Sequence, residues 1–508
     1  MDDFEIFKEK TLAANVVPVV DTLPADLLTP LAVYLKISAE SKNSFLLESV
    51  EGGETLARYS FIGSDPESIA VGDEKSVRVT SGNGSTERAV PMVQFLREHF
   101  GKYLVHQDET LPSFIGGAIG SINFDCVSWF EPSLKQTDLT DDLASLMFFR
   151  SIVAFDHAKQ LIQIISLVFT DEADGNDSKL KSLFDSAVSN NRRIRYCLEN
   201  GETRLPSSNV REPQSPASSN TERELFENNV HQIKELIKAG EAYQVVLSQC
   251  FSKPTSATPV AIYRAIRSLN PSPYMFLIRT GEKSVIGASP EMLVRVRGRD
   301  MEYRPIAGTR PRGVTPDEDA RLAIEMQADQ KEVAEHLMLV DLGRNDLGRV
   351  AEYGSVKVNS LMHVEKYSHV QHLVTYLSAT LRKGLDRFDA LASCFPAGTV
   401  SGAPKVSAVE IIRNLEPTPR GIYAGAVGYF DYAGNMDTCI AIRTLSLQNG
   451  VAKIQAGAGI VADSVPELEY QETVNKARAL LKAVDVAEDA ARCSKNDQIS
   501  EAPQEASL

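Results

Sequence analysis

Two short stretches carry acids three residues apart: Glu332 and Glu335 in "KEVAEH", and Glu469 and Glu472 in "PELEYQET". On a helix that spacing puts both members of a pair on one face. Close carboxylates repel unless a cation lies between them, and oxygen ligands with vacant water positions suit Mg²⁺. One such pair alone reads more readily as a solvated helix surface, and the metal reading requires the two faces to converge. A second kind of chemistry is hinted at by Arg443 in "TCIAIRTL", where the apolar surroundings read as a buried strand. A buried guanidinium requires a partner, either an internal acid or the planar carboxylate of a ligand, which it can grip with two parallel hydrogen bonds. The glycine-rich runs at 398–403 and 457–459 allow backbone N–H groups to approach a ligand closely, and also suit plain turns. The loop "RPIAGTRPR", residues 304–312, places three arginines around a single alanine, Ala307.

Several other patterns do not carry chemistry. "GAGIVA" at 457–462 matches G-x-G-x-x-A, but no strand with an acidic residue follows about twenty positions on, as a dinucleotide site requires. "GTVSGAPK" at 398–405 lacks the G-K-[ST] ending of a phosphate loop, so Thr399 and Lys405 do not form one. Glu335 and His336 lack the second histidine of a zinc protease. His369 and His372 are a helical turn apart if their segment is helical, and a packing role suits them as well as a ligand role.

These side chains must be positioned by a large soluble scaffold. The chain has 508 residues, 43% apolar and 24% charged, enough for a sizeable core in two or more structural units. Its net charge of -15 repels nucleic acid and anionic membrane, so an anionic substrate needs a local cationic pocket. Six cysteines without a C-x-x-C pair suit a reducing compartment. The charged start, "MDDFEIFKEK", and the lack of any long apolar run place the chain in the cytoplasm, with no membrane partner.

The segment 205–223, rich in Ser, Pro and Asn, reads as a flexible linker. Before it, in a 1–204 region, short strand-like runs such as "LIQIISLVF" separated by turn residues indicate antiparallel sheet. After it, Thr221 and Glu224 form a capping-box signature, and Phe226, Val230, Ile233 and Ile237 recur at helical spacing. The 224–487 region mixes alternating strands such as "AVGYFDY" with amphipathic helices near 317–340 and 466–487. The tail, 488–508, reads as disordered.

The strings "AYQVVLSQCF", "GASPEML", "PIAGTRPR", "EHLMLVDLGRND", "EKYSHVQHL", "FPAGTVSGAPK", "RGIYAGAVGYF" and "GAGIVADSVPELEYQET", with "FLLES" and "NPSPYMF" upstream, resemble the chorismate-utilising enzymes. Within them the likeness is to the anthranilate synthase component I family, over about residues 15–485 outside the linker. The resemblance implies an α+β fold: two large antiparallel β-sheets packed as a sandwich with helices outside and the site between them. It also implies that Glu335 and Glu472 hold Mg²⁺ against the ring carboxylate of chorismate, with Glu332 and Glu469 beside them. Arg443 and Tyr423 would grip the enolpyruvyl carboxylate, and Gly457, Gly459, Thr309 and Lys476 would line the ring-carboxylate side. Glu291 would be the general acid for the departing C4 hydroxyl, a role that requires a raised pKa. His372 would assist loss of pyruvate, and Thr399 resembles a site residue.

Two departures from relatives bear on the nucleophile. Relatives that aminate at C4 carry a lysine where this chain has Ala307, and relatives that add water carry one where it has Gln244. Both differences favour ammonia as nucleophile at C2, giving anthranilate and pyruvate, the first committed step of tryptophan biosynthesis. No cysteine lies in a G-x-C-x-G elbow, so a separate glutamine amidotransferase subunit is the expected source of ammonia. Glu48, Ser49, Asn270, Pro271, Pro273, Tyr274, Met275, Phe276 and Cys439 match positions where the family binds tryptophan as feedback inhibitor. In "GGAIGSINFDCVSWFEP", Ser121 and Ser128 depart from the Tyr and Arg usual in relatives, on the side expected to meet the partner. The competing readings are an aminodeoxychorismate synthase component I, which Ala307 opposes, and a catalytically dead tryptophan-sensing regulator.

Overall fold

The computed structural model describes residues 3–49, 58–135, 143–206, 216–367 and 370–500. Among them, two twelve-stranded sheets pack face to face, paired antiparallel throughout, with helices on their outer faces. This is the expected α+β sandwich. Its core forms where inward side chains of both sheets interlock: Phe61 meets Tyr429 edge to face at 5.8 Å, and Phe45 meets Phe149 at 4.8 Å. The run "LIQIISLVF" is the strand Leu161–Phe169, paired on one side with Val16–Pro24 and on the other with Ser151–Asp156.

Segments on both sides of the linker build both sheets. In the first sheet Tyr274–Thr280 lies between Asn43–Glu48 and Lys283–Ser289. In the second, Ala426–Asp431 lies between Gly117–Ile122 and Met436–Ile440.

The chain also changes sheet at two adjacent points. Lys283–Ser289 belongs to the first sheet and Met292–Arg297 to the second, so the chain crosses at Pro290–Glu291. Met436–Ile440 belongs to the second sheet and Thr444–Gln448 to the first, so the return crossing runs through Ala441–Arg443. The crossings are stitched together: the Ile440 N–H donates to the Glu291 carbonyl at 3.0 Å, and the Ala288 N–H to the Arg443 carbonyl at 3.1 Å.

Four sequence expectations change here. Arg443 is not in a strand; it sits in the crossing with φ +50°, a left-handed conformation costly for a residue with a Cβ. The helix after the linker spans Arg223–Lys238 and buries Phe226, Val230 and Ile233, but Glu222 is its N-cap and no capping box forms. The Thr221 hydroxyl turns instead to the Asn220 side-chain oxygen at 3.1 Å. Within the expected flexible linker, Ser218 and Ser219 pair with Ser252 and Phe251 as an edge strand, while residues 207–215 lie outside the described residues. The expected disordered tail begins as helix: Pro466–Ser500 is one continuous element, and buried Glu488 accepts from the Thr255 hydroxyl at 2.6 Å. Residues 501–508 lie outside the described residues. Among the described residues no helix is long and apolar enough to cross a membrane.

Candidate active site

Glu291 is held at the first crossing with only 7% of its surface exposed, and its Oε1 is buried without a hydrogen-bond partner. Burial pushes its carboxyl up to about 8, because the charged form loses its hydration. The Thr399 hydroxyl, in the turn Gly398–Val400, lies close enough to oppose that shift. It misses hydrogen-bond geometry and is itself buried unpaired, so burial prevails. A neutral carboxyl with a free oxygen facing an unpaired hydroxyl is suited to donate a proton.

On the neighbouring return crossing, Arg443 has no carboxylate within ion-pair distance among the described residues; its Nη1 donates to the Lys476 carbonyl at 3.3 Å. Burial lowers its pKa, the opposite of what a neutralised guanidinium shows. The internal ion pair allowed by the sequence is therefore absent, and the group is free for an anionic ligand. The buried Tyr423, whose hydroxyl burial pushes up to about 12, and the strand Val451–Ile460 complete this wall. Two glycines of that strand lie close under neighbouring side chains. A Cβ at Gly457 would stand 2.7 Å from the Tyr423 hydroxyl, and one at Gly459 would stand 2.5 Å from the Gln244 side-chain nitrogen. Lys476 donates to the Gly457 carbonyl at 3.1 Å and pairs with Glu472 at 2.6 Å.

The opposite wall comes from the second sheet, where Ile306–Pro311 pairs with Val370–Thr380. His372 is thus on a strand, which removes the helical-turn relation to His369; His369 itself lies outside the described residues. The His372 Nδ1 lies 2.9 Å from the Gly308 carbonyl, which can only accept, so the proton sits on Nδ1 and Nε2 keeps its lone pair. The Thr309 hydroxyl lies 3.1 Å from the same nitrogen. Burial lowers the His372 pKa and favours this neutral form. Ala307 pairs with Leu373, next to His372, and brings no polar group to the wall.

The two acidic faces approach each other. Glu335 is raised by loss of hydration and by the negative charges of Glu332 and Glu472, and Glu469 by loss of hydration and by Glu472. Glu335 is crowded by protein yet reachable by water. The pairs are not equivalent: Arg310 holds Glu332 at 3.0 Å and Asp329 at 2.9 Å, and Lys476 holds Glu472. Glu335 has no ion pair among the described residues. Among those residues no three metal-capable side chains cluster tightly enough to form a finished metal site. Mutually repelling carboxylates, two of them, Glu335 and Glu469, without an ion pair among the described residues, fit a divalent cation that keeps several waters. The Lys405 of the phosphate-loop decoy is occupied by Asp346 at 3.2 Å.

Seven of the nine positions matched to tryptophan binding line a separate cavity between the sheets. Its wall includes Glu48, Ser49, Pro273, Tyr274, Met275, Phe276 and Cys439. Asn270 and Pro271 are not in this wall; Asn270 caps the helix Pro259–Leu269. Glu48 is already engaged, accepting from the Tyr263 hydroxyl and pairing with Arg267 at 3.3 Å.

Sequence reading missed the partners of the site residues. Arg310 on Glu332 belongs to a motif that was read for its alanine. Arg420, buried with Glu416, donates to the Val400 and Val246 carbonyls at 2.7 Å each and so fixes the Thr399 turn. Neither has a signal in spacing, because the contacts join distant segments.

Residues 42–482 match the family of chorismate binding enzymes. The chain is 44% identical to anthranilate synthase component 1 of Acetivibrio thermocellus over 482 residues, covering 93% of this chain and 96% of that protein. It is 39% identical to the component 1 of Bacillus subtilis over 515 residues, covering 97% of each. Among solved structures, anthranilate synthase component I from Streptococcus pneumoniae superposes with a TM-score of 0.72 at 34% identity, covering 90% of this chain and 98% of that one. A menaquinone-specific isochorismate synthase from Escherichia coli shares the fold, with a TM-score of 0.66 at 21% identity, covering 95% and 99%. With the family match spanning residues 42–482 and relatives 39–44% identical over nearly the whole chain, the chain belongs to the family of chorismate binding enzymes.

Proposed function

We propose that the chain forms anthranilate and pyruvate from chorismate and ammonia, as the synthase component of tryptophan biosynthesis. The observation that carries this reading is Arg443: a buried guanidinium with no ion pair among the described residues, on the crossing next to the one that holds Glu291 and beside the glycines of Val451–Ile460. Chorismate offers the matching chemistry. Its enolpyruvyl carboxylate would pair with Arg443 beside Tyr423, and its ring carboxylate would lie toward Lys476, Thr309 and the glutamates.

Glu291 would protonate the departing C4 hydroxyl, which leaves as water while ammonia bonds to C2. Aromatisation then requires loss of the C2 proton and cleavage of the ring C–O bond, the departing enolpyruvate taking up a proton at its methylene carbon to become pyruvate. The His372 Nε2 lone pair would take that proton. Glu335 and Glu472, with Glu332 and Glu469 beside them, would hold Mg²⁺, which supplies charge neutralisation for the ring carboxylate when bound. Ala307 and Gln244 supply no amine or strong base to compete, so ammonia is the nucleophile.

Ammonia would come from a glutamine amidotransferase subunit, since free ammonia is mostly protonated at neutral pH. Tryptophan would bind in the cavity between the sheets beside Glu48, whose wall is largely apolar, in the cytoplasm where the pathway operates. Calorimetric titration should find one tryptophan per chain, and absence of binding removes that assignment. The decisive test incubates the isolated chain with chorismate, Mg²⁺ and ammonium at high pH. Fluorescent anthranilate is expected; a 4-amino product or no turnover overturns the reading.

A further inference from the structure

We infer that Glu365 is a positioning residue for His372, holding its ring and setting its readiness to accept a proton; this rests on the role of His372 proposed above. Glu365 and His372 are directly opposed on neighbouring strands, Lys357–Lys366 and Val370–Thr380. Directly opposed residues on one sheet face have Cβ atoms about 5 Å apart. The carboxylate is built into place by four donors. Tyr367 and Tyr376 hydroxyls donate at 2.9 Å each, His363 Nε2 lies at 2.9 Å, and the Arg304 guanidinium pairs with it.

Arg304 is 2% exposed and lies over the Tyr376 ring at 5.2 Å, so it too is immobile. The network ends on the histidine: the Tyr367 ring meets the His372 ring at 5.5 Å, close to edge on. One side of the imidazole is therefore fixed by Gly308 and Thr309 and another by Tyr367, and Glu365 fixes Tyr367.

The charges around His372 are few. Glu365 favours its protonated form, whereas Arg304 and Arg443 oppose it. Thr309 and Tyr367 are the other titratable or polar groups facing it. A base that takes the C2 proton becomes an imidazolium, and Glu365 is the only acid among these neighbours able to stabilise that charge. Buried hydrogen-bond networks of this kind hold geometry, and here the Arg304 Nη2 joins Glu365 to the Tyr367 hydroxyl while its Nε stays unpaired. The fixed negative charge would also make the neutral imidazole a stronger base without leaving it charged beforehand.

The test replaces Glu365→Gln, which keeps the shape and loses the charge. His372 is followed by NMR in the full chain with ¹³C-labelled histidine, its signal assigned by His372→Gln. The titration midpoint of His372 is expected to fall, and anthranilate formation to drop at least tenfold relative to chorismate consumption, leaving an aminated intermediate. An unmoved midpoint overturns the inference. A lowered midpoint with unaltered product ratio leaves Glu365 as the tuning group and instead removes His372 from the elimination step. Should Glu365→Gln fail to fold, Tyr367→Phe keeps the ring against His372 but removes one donor. A several-fold drop in the same product ratio then supports the inference, and parity with the parent chain overturns it.

Discussion

Replacing Arg443 by methionine separates a ligand-binding arginine from a structural one. A structural buried arginine, paired internally, leaves an orphaned acid when removed, at a cost of about 3–5 kcal/mol. Among the described residues Arg443 has no such acid; it makes one long bond, 3.3 Å, to the Lys476 carbonyl. Burial already disfavours its charge, and its backbone is held at φ +50°. Methionine fills similar length without a charge to desolvate, so the midpoint of thermal unfolding should stay within a few degrees of the parent or rise. The ligand side behaves oppositely. A bidentate grip is two charge-assisted hydrogen bonds of about 1.5–3 kcal/mol each, or about 3–6 kcal/mol together. At 1.4 kcal/mol per tenfold, kcat/KM for chorismate should fall about 10²–10⁴-fold. Anthranilate fluorescence with ammonium as nitrogen source, beside a calorimetric melt, reads both. Loss of several kcal/mol of stability with kcat/KM unchanged would refute the assignment of Arg443 to substrate.

Glu291 supplies a pH prediction. Its folded pKa, about 8, lies above the ordinary 4.5, so between those values the folded chain keeps a proton the unfolded chain has lost. Stability from this group is present below about pH 4.5 and is lost as pH rises toward 8. Melts of Glu291→Gln across that window should lack this decline, and its kcat should fall about 10²–10⁴-fold; a parallel pH trend in both chains argues against a neutral Glu291. Glu472→Gln breaks a solvent-reachable pair with Lys476, worth about 0–1 kcal/mol, so folding should barely change while Mg²⁺-dependent turnover disappears and calorimetric Mg²⁺ binding weakens. Retained binding takes Glu472 out of the metal site. Gly459→Ala puts a methyl 2.5 Å from the Gln244 amide and narrows the floor, so KM for chorismate should rise at least tenfold; an unchanged KM would show that substrate does not lie on this strand.

How far the sequence could be read depended on the range of each interaction. The i, i+3 acids were legible because a helix face is local, and so was the antiparallel strand Leu161–Phe169, whose pattern and turns lie within a few residues. Arg443 was placed in the wrong element for a physical reason: a sheet-to-sheet crossing is flanked by buried apolar residues, just as a strand interior is. Its missing partner was equally invisible, since an ion pair and a ligand site demand the same arginine. The Thr221–Glu224 signature failed because Asn220 and Ser219 competed for the Thr221 side chain and backbone. Glu365 drew no attention, since what distinguishes it is the meeting of Arg304 with three side chains from its own hairpin.

The interleaving of both chain halves within each sheet has an evolutionary and practical consequence. Cutting in the segment between them leaves Tyr274–Thr280 without Asn43–Glu48 along one edge and Ala426–Asp431 without Gly117–Ile122, so each fragment bares long unpaired edges prone to aggregation. The front half is therefore not a cassette to be grafted between relatives. A chimaera must inherit matching strand registers on both sides of the join.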